Sequence, residues 1–174
     1  MQQNNKKIFD LAFFTALAIT IFLLENLIPR PFPFLKFGFA NIIVLYVLIT
    51  INFRSALLIA ISKTLIGGLL SGLILSPTTL LSLSGSIAAL LIMYILYRSP
   101  LHFSLIGLSI SGAVFHNLSQ LIVVRLILIK EHSIFYLTPL LIILGLFTGT
   151  LTGYLAYLLI SKTVKEDIDE KTDN

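Results

Sequence analysis

The chain has 174 residues, of which 57% are hydrophobic and 11% are charged, with a formal net charge of +4. Soluble domains carry about 25% charged residues, so this composition excludes a water-soluble globular protein and predicts helices embedded in lipid. The sequence contains no cysteine, which excludes disulfides, thiolate metal sites and cysteine nucleophiles. Basic residues lie near the ends of apolar stretches, an arrangement typical of membrane orientation rather than of nucleic-acid binding.

Six apolar stretches are separated by prolines and polar residues, and each is interpreted as a membrane helix, which takes about 20 residues to span. The first helix is predicted to be retained, because no small-residue cleavage site of a signal peptide precedes Pro29. Ser-Pro pairs at 76–77 and 99–100 combine a capping serine with proline at the first helical position, so they predict the starts of the fourth and fifth helices. The sixth helix is predicted to become regular at Thr138.

The resulting prediction is an all-α polytopic membrane bundle, in which the second helix is short and its full crossing of the membrane is left open. Six crossings place both termini on one side, which would hold seven lysine and arginine residues against three on the other. This bias predicts that both termini are cytoplasmic. The predicted helices cover about 8–28, 37–51, 55–75, 77–97, 100–129 and 134–160, in a single membrane domain, 1–161, followed by a charged and frayed cytoplasmic tail, 162–174.

Glycines recur at intervals of four residues on two of the predicted helices. Gly145, Gly149 and Gly153 lie on the sixth helix, and Gly68 and Gly72 lie on the third. This spacing lets helix backbones approach closely in lipid, where no hydrophobic effect drives helix association. The glycines are predicted to pack helices within one bundle, with dimerisation as the alternative.

Charged and polar side chains at membrane depth are rare and indicate functional sites by default. Lys63 lies nine residues into the predicted third helix, too deep for its ammonium group to reach the interface easily. The basic residues outnumber Glu25, which predicts an outward-facing cavity for a small anionic ligand, since arginine and lysine bind carboxylates and phosphates well. The candidate ligand-binding residues are Lys63, Arg125, Asn117, Gln120, His116, Glu25, Asn41, Arg30 and Lys36.

Each of these residues also has a structural interpretation, which stays open. Arg125 lies about one turn from the predicted helix end and could extend to the interface. Glu25 could form a structural ion pair with Lys63 or Arg125. His116 could be a satisfied packing histidine, and the amides near it, Asn117 included, could serve only to hold helices together.

The chemistry that the sequence lacks also narrows the function. Apart from Asp10 at the start of the first helix, no aspartate lies in a predicted membrane segment, so the paired aspartate motifs that hold magnesium diphosphate in prenyl synthases are missing. No Gly-x-x-x-x-Gly-Lys-Ser/Thr phosphate loop is present, and three scattered histidines do not predict a metal site. The sequence therefore predicts neither catalysis by this chain alone nor a bound cofactor.

Five stretches of the sequence are characteristic of a known family. They are LIPRPFPFLKFGFAN at 27–41, GGLLSG at 67–72, SPT at 76–78, SLSG at 82–85 and GAVFHNLSQ at 112–120. The chain resembles the Gx transporter family, which is often labelled heptaprenyl diphosphate synthase component I, over nearly all six predicted helices. That family is similar to the S components of energy-coupling factor (ECF) transporters, small six-helix proteins that bind a substrate and join a transmembrane coupling protein and two ATPases.

The resemblance implies an S-component-like fold in a bacterial cytoplasmic membrane, with a ligand site near the outer face. It also implies that Ala12 and Ala16, four residues apart on the first helix, dock the coupling protein. The favoured hypothesis is thus the substrate-binding subunit of an uptake transporter for a small anionic vitamin-, flavin- or isoprenoid/quinone-related molecule. The second is a non-catalytic membrane subunit associated with heptaprenyl diphosphate synthesis or with flavin-based extracellular electron transfer, and the third is a structural membrane protein.

Overall fold

The computed structural model describes residues 2–28, 38–129 and 131–172, with side chains over 7–28, 38–129 and 131–163. Within these residues the chain is entirely helical, which confirms the predicted all-α class. A short 3₁₀ helix, His132–Leu137, precedes the last α-helix. The α-helices are α1 Gln2–Leu27, α2 Asn41–Thr50, α3 Phe53–Leu70, α4 Pro77–Arg98, α5 Leu105–Ile127 and α6 Thr138–Thr172.

Five of the six α-helices are long and apolar enough to cross a membrane, as expected for a multi-pass membrane protein. The exception is α2, whose 10 residues extend over about 15 Å, half the thickness of a hydrocarbon core. The predicted start at residue 37 lies outside the described residues. The helix itself begins only at Asn41, because Gly38 has a left-handed backbone with φ of +77°.

The short helix α2 lies at the centre of the bundle. The other helices form a row in which α1 packs on α3, α3 on α4, α4 on α5 and α5 on α6, while α2 contacts α1, α3, α4 and α6. Every residue from Ile42 to Leu48 is buried, as expected for a helix that is hydrophobic all round. The long helices expose large apolar side chains on their outer faces, where the solvent is lipid.

Several helix boundaries follow the predicted signals. Pro77 begins α4 and Thr138 begins α6, both as predicted. The Asn52 side chain accepts a hydrogen bond from the Ser55 backbone N–H at 2.9 Å, so it caps α3.

The two terminal helices both pack near α2. The N-terminal part of α1 and the end of α2 line one groove, with Lys7 and Asn52 among its residues. The α2 residue Tyr46 contacts Thr163 near the end of α6. Both terminal segments therefore lie at the same end of the bundle.

Three other boundaries were predicted wrongly. Helix α5 begins at Leu105 rather than at residue 100, because His102 has φ of +47° and Ser104 supplies the cap, accepting from the Gly107 N–H at 3.1 Å. Helix α3 ends at Leu70 rather than 75. In the tail, α6 continues as a helix to Thr172 instead of fraying after residue 161.

The glycines of α6 form a seam against α5. A Cβ atom added to Gly149 would lie 2.5 Å from the Ile110 Cα atom, and the same approach recurs at Gly145 and Gly153. Only glycine permits this separation, so the repeat packs α6 onto α5 within one chain. The face is covered by α5 and is not available for dimerisation.

The two glycines predicted to pack α3 have different surroundings. Gly68 lies against the side chain of Thr79 in α4, so it allows the two helices to approach closely. Gly72 does not pack at all, since a Cβ atom there would meet nothing within 4 Å. Glycine is favoured here because residue 72, which follows the end of the helix, has a left-handed backbone with φ of +70°.

Candidate functional site

The N-terminus of α2 lies deep inside the bundle. Its first residue, Asn41, contacts Lys63, which is ten residues after the start of α3 at Phe53 and therefore about 15 Å along that helix. The preceding residues Gly38 to Ala40 are not helical, and Ala40 is fully buried. Irregular backbone at membrane depth is tolerated only where protein surrounds it or where it lines a cavity. The start of α2 is such a place.

Four polar side chains from three helices form a continuous hydrogen-bonded chain at this point. The Lys63 ammonium donates to Asn41 Oδ1 at 2.5 Å, and Asn41 Nδ2 lies 3.4 Å from His116 Nδ1. On the other side of the imidazole, the Gln120 amide nitrogen lies 3.1 Å from His116 Nε2. Lys63, His116 and Gln120 are all buried. We refer to these four residues as the central polar chain.

Glu25 of α1 provides the negative charge next to this chain. Its carboxylate is 3% exposed and accepts a hydrogen bond from the Gly38 backbone N–H. It also interacts electrostatically with Lys63. A buried cation therefore lies near a buried anion, which offsets its charge. The structural ion-pair interpretation of Glu25 stays a prediction.

A small closed cavity adjoins the central polar chain. Its volume of about 10 Å³ is close to the space needed by one water molecule. A ligand-sized hollow would be larger, about 300–1,000 Å³, so this cavity as it stands is too small for the predicted ligand. Residues of α2, α4, α5 and α6 form its walls. Its lining includes Gly38, Asn41, Met93, Gly112, His116 and Asn117.

Other polar groups around this cavity join α5 to α6. The Asn117 amide donates to the Leu141 carbonyl at 3.0 Å, which is the helix-joining role that the sequence left open. The hydroxyl groups of Ser109 and Thr152 lie 2.8 Å apart, and both residues are buried beside the cavity. Neither hydroxyl residue was predicted, because serine and threonine commonly bond to their own helix backbone in membranes and so carry little sequence signal.

Arg125 does not join the central polar chain, although the sequence predicts it beside Lys63. Its Nη2 atom lies 3.3 Å from His132 Nε2, and its buried Nε atom has no hydrogen-bond partner in the described part of the chain. The helical period explains this placement. Arg125 follows His116 by nine residues, which is about half a turn around α5 and about 13 Å along it.

The remaining predicted residues are either outside this site or outside the described residues. Arg30 and Lys36 lie in the range 29–37, which the structure does not describe. Ala12 and Ala16 are exposed on the outer face of α1, beside the exposed side chains of Phe9 and Phe13. Among the described residues no group of three histidine or acidic side chains could hold a metal ion.

The sequence was compared with models of protein families, with curated proteins and with solved structures. The model described as heptaprenyl diphosphate synthase component I matches residues 14–159, which is most of the chain. The chain belongs to this family. Searches of curated proteins and of solved structures each found no match. The match confirms the resemblance given by the sequence motifs, and its range contains Glu25 and all four residues of the central polar chain.

Within the family match, Gly85 of α4 makes room for the imidazole of the central polar chain. A Cβ atom on Gly85 would lie 2.8 Å from two ring atoms of His116, closer than side chains approach in well-packed cores. The ring would have to move, and its contacts to Asn41 and Gln120 would weaken. The position therefore depends on glycine for the hydrogen bonding of the site.

We expect Gly85→Ala to lower the free energy of unfolding by about 1–3 kcal/mol, the usual effect of overpacking. The measurement is reversible unfolding of the purified protein in mixed detergent micelles. Gly107→Ala is the matched control, because a Cβ atom there would lie at an ordinary distance of 3.4 Å from Ser104 Oγ. Equal free energies of unfolding for the two variants would show that the His116 ring can move without destabilising the protein.

Proposed function

We propose that the chain is the small-molecule-binding subunit of an ECF-type uptake transporter in a bacterial cytoplasmic membrane. The single observation that carries the proposal is the buried central polar chain at the start of α2. Ionisable and amide side chains are expensive at membrane depth and typically line substrate or ion pathways. Discontinuous helices that begin near the middle of the bilayer are common at transporter binding sites.

The local electrostatics favour a ligand with a carboxylate or phosphate group. The first N–H groups of α2 have no side-chain cap, and Ala40 precedes them, so this end of the helix carries partial positive charge. Lys63 adds a full positive charge beside Asn41. The anionic group of a small vitamin-, flavin- or isoprenoid/quinone-related molecule would bind both the N-terminus of α2 and the Lys63 ammonium group. Gln120 and His116 would donate or accept further hydrogen bonds.

Ligand binding requires the site to open, because the cavity of about 10 Å³ is too small for such a molecule. Arg30 and Lys36 would bind the ligand at the outer mouth, and Arg125 would contribute only after a rearrangement of α5. A coupling protein docked on Ala12 and Ala16, together with its ATPase subunits, would supply the energy for inward release. The exposure of both alanines is compatible with such docking.

The test is native mass spectrometry of the gently purified protein, which reports co-purified small molecules and subunits together. We expect the wild type to carry a small-molecule mass and the Glu25→Gln/Lys63→Met variant to lose it, because the variant is charge-balanced but lacks the ammonium donor. The control is Glu131→Gln/Lys162→Met, which makes the same changes at exposed positions. Equal small-molecule occupancy in both variants would refute the assignment of Lys63.

A second candidate function rests on the description of the matching family, which names component I of heptaprenyl diphosphate synthase. The chain would then be a non-catalytic membrane subunit that associates with a soluble prenyl diphosphate synthase. The same experiment separates the two functions. Co-purification of a soluble synthase without ATPase subunits favours the second function, and co-purification of ATPases favours uptake.

A further inference from the structure

A second polar site lies at the end of the bundle where α2 ends. It is a groove of about 540 Å³ between the end of α2, the start of α3 and the end of α4. Arg54 is the second residue of α3 and Arg98 is the last residue of α4, so the ends of two helices direct arginines into one groove. We call it the arginine groove; its polar and aromatic lining is Asn52, Phe53, Arg54, Tyr94, Tyr97 and Arg98.

The lining of the arginine groove contains two basic residues and no acidic residue. No hydrogen bond or ion pair joins the Arg54 or Arg98 side chain to another side chain in the described part of the chain. Arginine stays protonated at all physiological pH values, so the groove carries two full positive charges. The positive-inside rule accounts for basic residues at this end but not for their convergence on one groove.

The depth of the groove corresponds to the headgroup level of a bilayer. Both arginines lie at the ends of membrane-spanning helices, and Tyr97, which is exposed, occupies the position before Arg98. Tyrosine is enriched at this level because its ring is apolar and its hydroxyl is polar. The Phe53 and Tyr94 rings pack with their centroids 4.4 Å apart and form one wall of the groove. Three apolar residues form the rest of the lining: Leu48 and Ile49 of α2, and Ile51, which follows this helix.

We propose that the arginine groove binds the phosphate group of an anionic membrane lipid. The two guanidinium groups donate to the phosphate oxygens, as they do in charge-assisted hydrogen bonds generally. The apolar residues from α2 contact the start of the acyl chains. Basic pockets between membrane helices bind lipid headgroups by this chemistry. The site is separate from the central polar chain, so it does not depend on the proposed uptake function.

The test is lipid titration of the full-length protein, followed by native mass spectrometry, with dioleoyl phosphatidylglycerol and dioleoyl phosphatidylcholine as probes. We expect preferential binding of phosphatidylglycerol by the wild type. In Arg54→Gln/Arg98→Gln that binding should weaken by roughly 10- to 30-fold, since each basic residue near an anionic surface contributes about one kcal/mol. Both positions are exposed, and a thermal melt in detergent checks that the variant is folded.

The matched control is Lys7→Gln/Lys162→Gln, which removes the same charge from the same end of the bundle outside the groove. Retention of phosphatidylglycerol binding by this control supports the proposal. Equal weakening in both double variants would show a diffuse surface effect and overturn the site. Displacement of the lipid by millimolar inorganic phosphate would assign the groove to a free phosphate and overturn the lipid as its ligand.

Discussion

Lys63→Met is expected to lower the free energy of unfolding by about 3–5 kcal/mol, the usual effect of removing one partner from a buried charge pair. The substitution keeps most of the side-chain volume, so no large cavity forms. It leaves the buried carboxylate of Glu25 without its electrostatic partner and removes the donor to Asn41 Oδ1. The measurement is reversible unfolding in micelles of increasing dodecyl sulfate content.

A double-mutant cycle separates this pair from packing effects. Glu25→Gln alone should also lower the free energy of unfolding. The decrease in Glu25→Gln/Lys63→Met should be much smaller than the sum of the decreases in the two single variants. Lys162→Met, at an exposed position on α6, is the control and should change stability by less than about 0.5 kcal/mol. Additive single effects would show that Glu25 and Lys63 do not interact in the folded protein.

The parts of the fold that the sequence predicted correctly are those set by local signals. Proline at residue 77 is the first residue of α4, as its fixed backbone angle predicts, whereas the Ser76 hydroxyl donates to the Leu73 carbonyl and does not cap the helix. The number of helices follows from hydropathy, since each long apolar stretch must satisfy its backbone hydrogen bonds internally. The same logic explains why five helices are long enough to span the membrane.

The errors occur where the backbone adopts a conformation that composition does not reveal. The Ser-Pro pair at 99–100 has the same signature as the pair at 76–77, yet α5 begins five residues later. His102 is left-handed in the structure, and nothing in its residue type predicts that. Hydropathy likewise cannot show that α2 begins inside the bundle, because an apolar helix of 10 residues is equally compatible with several depths.

The sequence selects most residues of the central polar chain, for a clear physical reason. The rule that polar groups at membrane depth are functional or paired selects Lys63, His116 and Gln120 from residue type alone, and the structure joins all three through Asn41. Arg125 satisfies the same rule but lies on another face of α5. The count of basic residues does not consider where each side chain points, whereas the helical period places Arg125 on a different face of α5 from His116.

The closed state of the site follows from the same contacts. The amide of Asn41 links Lys63 of α3 to the His116 imidazole of α5, so these polar groups form hydrogen bonds with one another. Under the proposed function, a ligand would have to replace hydrogen bonds that already exist, and its affinity would depend on the difference between the two sets. This exchange favours ligands that offer several acceptors at once over simple monovalent anions.

The seam between α5 and α6 gives the other large expected effect, for Gly149→Leu. A Cβ atom at this position would already overlap the backbone of Ile110 at 2.5 Å, and a backbone atom cannot move aside as a side chain can. We expect a loss of about 3 kcal/mol or more, at the upper end of overpacking effects. Gly149→Ala should show a smaller loss in the same unfolding measurement.

Thr150→Leu is the matched control, because it introduces the same side chain one residue later, on an exposed face of α6. There the leucine meets lipid, and the stability should change by less than about 0.5 kcal/mol. The buried Ser109–Thr152 hydrogen bond crosses the same seam beside the small cavity. If the proposed function holds, a protein whose helices are forced apart at Gly149 should also lose the co-purified small molecule in native mass spectra. A Gly149→Leu protein as stable as the control would mean that the close α5–α6 approach does not hold the bundle together.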